Sequence, residues 1–195
     1  MPHDDQADHD AHDEGWPDVP GDTALTIPVP EADALVRTGT RAHVTVLYPF
    51  LPLSRLTNDP DDPDDTGDAE EALRSLISAT PAFTLTFREI RRWPGVLYLP
   101  PTPDEPLRAL TKSLRSRWPE AVPYRGVFGD EGLDPHLTLA SGEGTDALPE
   151  SDFTAALPLR SPVDAIRLIV SDGPGTRWRD VRSYPLGTGV TTARR

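Results

Sequence analysis

The chain has 195 residues, enough for one ordinary domain with a buried core and too few for two unless they are small lobes packed together. It contains no cysteine, which excludes disulfides, thiolate metal sites and cysteine nucleophiles. No apolar run approaches the roughly eighteen residues of a membrane span, and the N-terminus is acidic rather than basic then apolar, so a soluble, cytoplasmic monomer is expected.

The net charge of −13 is unevenly spread. Residues 1–22 hold eight acidic side chains and no Lys or Arg, residues 59–71 hold eight more with none, and the rest of the chain is formally +3. All the bases are Arg except Lys112. That preference suits planar, bidentate phosphate recognition, but a compositional bias of the source genome is the plainer explanation.

In chain order, residues 1–22, with His3, His9 and His12 among carboxylates, lack hydrophobic periodicity and read as a disordered acidic tail, not as a fixed metal site. The domain proper spans 23–187. Ala24 to Val29 reads as a strand, Glu31 to Val36 as a helical turn or two, and His43 to Phe50 as a strongly β-prone run. Residues 58–68, rich in Asp with Pro60, Pro63 and Gly67, read as a flexible acidic loop. Asp68 to Ala79 places Ala72, Leu73, Leu76 and Ile77 on one helical face, with Asp68 and Glu71 spaced as a cap and its partner. Pro81 ends it.

Phe83, Leu85 and Phe87 then alternate with polar residues, and Val96 to Leu99 follows the Trp93-Pro94-Gly95 turn, which predicts an antiparallel hairpin between the two runs. Thr102-Pro103-Asp104-Glu105 reads as a capping box opening a helix whose buried stripe is Leu107, Leu110, Leu114 and Trp118. Arg108, Lys112 and Arg115 fall on its other side and read as a solvated face. Further strands are predicted at His136 to Ala140, Asp152 to Leu157, Val163 to Val170 and Arg177 to Tyr184, with a short helix near Thr145 to Glu150 and a turn at Asp172 to Gly175. Residues 188–195 read as a disordered end. The order argues an α+β fold rather than a doubly wound parallel sheet.

Outside the tail the chain has only two histidines, and both stand in the same local pattern: His43-Val44-Thr45-Val46 and His136-Leu137-Thr138-Leu139. On a strand, residues i and i+2 share a face about 6.6 Å apart, so each tetrapeptide presents an imidazole beside a hydroxyl while the aliphatic between them faces the core. One such His-x-Thr is weak, because a lone strand histidine is commonly structural. Two copies that account for every histidine of the body point to function. If they converge, one imidazole can deprotonate water or a ribose hydroxyl and the other can protonate a leaving oxygen, with the hydroxyls on the non-bridging phosphate oxygens. That chemistry needs no metal and no cofactor. No GxGxxG, P-loop, HExxH or GxSxG motif competes.

His43-Val44-Thr45-Val46-Leu47-Tyr48-Pro49-Phe50 and Pro135-His136-Leu137-Thr138-Leu139-Ala140, about ninety residues apart, resemble the paired signatures of the two-histidine phosphoesterase superfamily, which includes the 2′-5′ RNA ligases and RNA 2′,3′-cyclic phosphodiesterases. The resemblance covers roughly Thr23 to Leu186. It implies a bilobal α+β fold with two pseudo-symmetric antiparallel-sheet lobes and outer helices around a central groove. It further implies that His43 and His136 are the acid–base pair and that Thr45 and Thr138 bind phosphate. The substrates it implies are 2′,3′-cyclic phosphates, ADP-ribose cyclic phosphate or 2′-5′-linked oligonucleotides, held without a cofactor. The two acidic stretches would repel long RNA near the groove, which favours a small nucleotide or RNA terminus over long RNA or DNA. Tyr48, Trp93, Tyr98, Tyr124 and Arg125 are candidates for stacking a base or holding phosphate, against a plain core role. A nucleotide- or RNA-end-binding module that does not turn over is the alternative function.

Overall fold

The computed structural model describes residues 19–56, 68–129, 132–173 and 177–188. Most of the acidic tail, the Asp-rich loop between 57 and 67, the far end of the Asp172 turn and the last seven residues therefore lie outside the described residues.

The elements are β1 (Thr23–Pro28), β2 (His43–Leu47), α1 (Asp68–Ser78), β3 (Phe83–Phe87), β4 (Arg91–Trp93), β5 (Val96–Leu99), β6 (Pro101–Thr102), α2 (Glu105–Arg117), β7 (Leu137–Ser141), α3 (Ser151–Thr154), β8 (Leu159–Val163), β9 (Ala165–Ser171) and β10 (Trp178–Pro185). Seven strands form one antiparallel sheet in the order β10-β9-β1-β2-β7-β5-β4, and β6-β3-β8 form a smaller one. The large sheet has two halves: β2 is the inner strand of one, β7 of the other, and only the pair Val44 with Leu137 bridges them. The fold is the α+β arrangement of antiparallel sheets and flanking helices expected from the sequence.

The strands alternate as their residues dictate. Val44, Val46, Leu137 and Leu139 are buried on the core side, whereas His43, Thr45, His136 and Thr138 are half-buried on the other. Leu25, Ile27, Leu97, Leu99, Ile166 and Leu168 extend the same core across the sheet. α1 contributes Leu73 and Ile77, and α2 contributes Leu107, Leu110 and Leu114, followed by Trp118, which packs edge-on against Phe50 at 5.4 Å. Each fully buried leucine of this kind stabilises the fold by roughly 1.5–3 kcal/mol relative to an exposed one. The hydroxyl of Thr111 donates to the carbonyl of Val46 at 2.9 Å, fixing α2 along β2.

Several expectations are corrected. Phe83 to Phe87 does not pair with Val96 to Leu99: β3 lies between β6 and β8 in the small sheet, and the hairpin across Pro94-Gly95 is β4 with β5. Arg91 and Arg92 disguise β4 in the sequence, because an edge strand with a wet face carries no hydrophobic alternation. Thr102 is not a helix cap but belongs to β6; Asp104 precedes α2, makes no side-chain cap bond, and accepts instead from Arg108 at 2.7 Å. The run from Asp152 is helical at α3, burying Phe153, and the strand begins only at Leu159, where Leu159, Ser161 and Val163 alternate inward. The segment after Pro30 is a single 3-10 turn, Pro30–Ala32. Asp22, grouped by composition with the tail, is anchored: Ser171 donates its backbone N–H to the Asp22 carbonyl at 2.8 Å, and the Asp22 carboxylate accepts from the Tyr48 hydroxyl at 3.0 Å.

Candidate functional site

The bridge between Val44 and Leu137 sets the geometry of the site. In an antiparallel pair the neighbours of that bridge oppose one another, so its register sets His43 across from Thr138 and Thr45 across from His136. Opposed residues on one face have Cβ atoms about 4.5–5.5 Å apart, so the two imidazoles and two hydroxyls share one patch of the sheet. All four residues picked from the sequence are therefore brought together, on strands that are distant in the chain and adjacent in space.

Each imidazole is held the same way. His43 Nδ1 lies 2.8 Å from the Arg41 carbonyl, and His136 Nδ1 lies 2.7 Å from the Asp134 carbonyl, both two residues upstream. A carbonyl only accepts, so Nδ1 carries the proton in both rings and donates it, leaving Nε2 of each free to exchange a proton with a ligand. The repeated His-x-Thr step thus brings a repeated backbone partner, which fixes both tautomers.

The surroundings differ between the halves. His136 meets the edges of Trp93, with ring centroids 4.7 Å apart, and of Tyr98, at 5.7 Å, and those two rings stack on each other at 4.0 Å. Its loop is tied to α2, because Arg108 donates to the Asp134 carboxylate at 2.7 Å. On the other side, Thr45 is hydrogen-bonded to the Tyr124 hydroxyl. Tyr124 and Arg125 both adopt left-handed backbone conformations, with φ of 47° and 53°. Such strain costs on the order of 1–3 kcal/mol per residue and persists only where surroundings enforce it. Here the enforcing bonds are the Tyr124 N–H to the Tyr48 carbonyl at 2.6 Å and the Arg125 guanidinium to the Asp22 carboxylate at 2.5 Å.

Burial lowers the pKa of both histidines below the ordinary value, opposed by the Arg41 carbonyl bond at His43 and by the Asp134 carbonyl bond at His136. The charge of His43 lowers His136 further, a smaller effect than burial. Burial also pushes the Tyr124 phenol up to about 12, which keeps it a neutral hydroxyl throughout the working range.

Two cavities meet at this patch. One, of about 510 Å³, is lined by Thr45 and His136 together with Arg108, Lys112 and Arg115 of α2. The second, of about 950 Å³, is lined by His43 and Thr45 with Arg41, Arg167, Arg177 and Trp178. Tyr48 and Tyr124 line both. Among the described residues there is no cluster of three or more His, Asp or Glu with metal-ligating placement. The tail histidines lie outside those residues.

Of the candidate ligand-side residues, Trp93 and Tyr98 wall in His136, while Tyr48 is 6% exposed and serves as wall and core at once. Arg125 is directed at Asp22 and lies over the Tyr48 ring, so it anchors the site wall. Arg41, Arg167 and Trp178 were not singled out by the sequence, since the signal for them is the pairing of β1 with β2 and β9, which sets Thr26 opposite both Thr45 and Arg167. The face of α2 expected to be solvated is so, with Arg108 and Lys112 exposed and Arg115 half-buried, and it also borders the cavity that holds Thr45 and His136.

The sequence matches the 2′-5′ RNA ligase superfamily over residues 31–175. Among solved structures, Escherichia coli LigT complexed with NADP+ is similar at 19% identity, covering 87% of this chain and 99% of that one with a TM-score of 0.55. TT0787 of Thermus thermophilus is similar at 19% identity, covering 86% and 98% with a TM-score of 0.56. E. coli LigT complexed with 3′-AMP is similar at 20% identity, covering 87% and 99% with a TM-score of 0.52. At these identities the likenesses establish the fold. No curated protein sequence matches the chain.

Proposed function

The chain belongs to the 2′-5′ RNA ligase superfamily, and on that premise we propose that it is a metal-independent phosphoesterase acting on a 2′,3′-cyclic phosphate or a 2′-5′-linked nucleotide or RNA end. The observation that carries the reading is the facing pair of His-x-Thr steps, each with Nδ1 committed to a backbone carbonyl and Nε2 free. In cyclic phosphate opening, one neutral imidazole takes a proton from water as its oxygen bonds to phosphorus. The bond from phosphorus to one ribose oxygen breaks, and the other imidazole, as imidazolium, protonates that oxygen. Thr45 and Thr138 donate to the non-bridging oxygens as charge gathers there. With a ribose 5′-hydroxyl in place of water, the same steps form a 2′-5′ diester.

Support for a nucleotide ligand comes from the LigT complexes with NADP+ and 3′-AMP, proteins of the same fold. The test is a panel of 2′,3′-cyclic nucleotides, 2′-5′ dinucleotides and ADP-ribose cyclic phosphate, run on the purified protein with and without EDTA. Turnover that survives EDTA and is lost in both His43→Ala and His136→Ala is expected. Full activity in both variants overturns the assignment, and tight binding without hydrolysis across the panel identifies a binding module instead.

A further inference from the structure

The amide plane between Arg41 and Ala42 is bonded at both ends. Its carbonyl, on Arg41, accepts from His43 Nδ1 at 2.8 Å, and its N–H, on Ala42, donates to the Asp33 carboxylate at 2.7 Å. In a trans peptide the C=O and N–H point in opposite directions within one rigid plane, so a single peptide unit connects a carboxylate to the imidazole. An N–H given to a charged acceptor also leaves its carbonyl a stronger acceptor, because bonds in a chain polarise one another. The carbonyl of Ala42 is held by the Val29 N–H at 2.9 Å, which pins the residue ahead of His43 on its far side. From Thr38 to Arg41 no backbone–backbone hydrogen bond is made among the described residues, so the Asp33 bond sets the rotation of the Arg41–Ala42 plane.

The other half holds its carbonyl by a different device. His136 Nδ1 lies 2.7 Å from the Asp134 carbonyl, and the next residue is Pro135, whose nitrogen carries no proton to give a carboxylate. There the proline ring restricts the backbone of the residue before it, and Arg108 holds the Asp134 carboxylate at 2.7 Å. Proline stiffness in one half thus stands where a carboxylate stands in the other.

We propose that Asp33 is a positioning residue for His43: through the Arg41–Ala42 peptide it fixes the carbonyl that holds the Nδ1 proton, and so keeps Nε2 bare toward the groove. This rests on the acid–base reading of the His-x-Thr pair and adds to it a residue that lines neither cavity. Asp33 is exposed, so solvent screens its charge and its leverage is directional more than electrostatic. Asn, whose side-chain carbonyl accepts the same N–H, should therefore replace most of what it does.

The test reads the ring nitrogens directly, by nitrogen NMR of isotope-labelled full-length protein at a pH where the imidazoles are neutral, with His43→Ala and His136→Ala assigning the signals. The wild type should show the Nδ1–H tautomer at both residues. In Asp33→Ala the His43 signals should move to a mixture with the Nε2–H form while those of His136 stay in place, and in Asp33→Asn both should remain as in the wild type. On a 2′,3′-cyclic mononucleotide, kcat should fall on the order of tenfold in Asp33→Ala with KM nearly constant, and return to within about threefold of wild type in Asp33→Asn. A folded Asp33→Ala protein with wild-type His43 nitrogen signals, or with wild-type kcat, overturns the proposal. So does a tautomer shift at His136 as large as that at His43, which marks a general loosening, and so does a shifted His43 tautomer in Asp33→Asn. If the wild-type protein opens no cyclic probe, the acid–base reading fails while the nitrogen spectra still decide whether Asp33 sets the His43 tautomer.

Discussion

The two His-x-Thr halves are alike in backbone and unlike in surroundings. His43 and His136 each give Nδ1 to a carbonyl two residues upstream, at 2.8 and 2.7 Å. Around His136 stand two aromatic rings and a loop pinned by Arg108, while the other half opens onto an arginine-lined cavity and has its threonine tied to Tyr124. The shared part fixes both rings in the same tautomer, with Nδ1 given to a backbone carbonyl. The unshared part gives each imidazole its own microenvironment, and on the proposed mechanism that difference would let one ring give a proton while the other takes one.

The largest expected effect tests whether the halves are equally necessary. His43→Ala and His136→Ala should each lower kcat on a 2′,3′-cyclic nucleotide by about 10²–10⁴-fold, with circular dichroism unchanged. A variant of one half that keeps wild-type kcat would mean that the pseudo-symmetry is structural only. Thr45→Ala and Thr138→Ala come next, at about 10²-fold in kcat for the loss of one donor to the developing charge. Unequal losses would show which hydroxyl meets that charge.

A smaller effect isolates the asymmetry itself. Tyr124→Phe keeps the ring against Tyr48 and removes the hydroxyl that bonds Thr45, so kcat should fall about 2- to 12-fold, the value of one net hydrogen bond, with KM nearly constant. In Thr45→Ala the same Phe substitution should then have no further effect, which a double-mutant cycle measures.

The smallest effect is a displacement on the pH axis. Burial lowers both histidine pKa values, so a free enzyme with one imidazole protonated is most populated below the ordinary imidazole value near 6.5. The profile of kcat/KM should be a bell centred below that value, its alkaline limb falling as the second imidazole proton is lost. The kcat profile should sit higher, because a bound phosphate anion favours imidazolium. A kcat/KM optimum well above pH 7 would show that the rings are less desolvated than the fold implies.

How much of this was legible in the sequence follows from the range of the interactions involved. The His-x-Thr steps could be read because strand alternation is local: the aliphatic residues at 44, 46, 137 and 139 had to face inward, leaving His43, Thr45, His136 and Thr138 together. The buried stripe of α2 was equally plain. The sheet partner of Phe83 to Phe87 could not be read, since that strand pairs with β8, more than seventy residues downstream, and alternation names a face but not a neighbour. The Tyr124 hydroxyl, the Asp22 anchor and the cationic face of α2 share that reason. Each acquires meaning from a segment far away in the chain: composition groups Asp22 with the tail, and the solvated face of Arg108, Lys112 and Arg115 borders the site only because α2 packs along β2.

A single residue pair spans the seam of the large sheet, helped by the Arg37 N–H reaching the Leu139 carbonyl at 2.6 Å. So short a ladder has little resistance to shear or flexing, whereas β9 and β10 are zipped along seven paired positions. The spacing of the two imidazoles is thus set across the join with the fewest paired positions in the β-structure. The amides of Val44 and Leu137 should accordingly exchange with solvent faster than those in the middle of β9, and slow when the groove is filled.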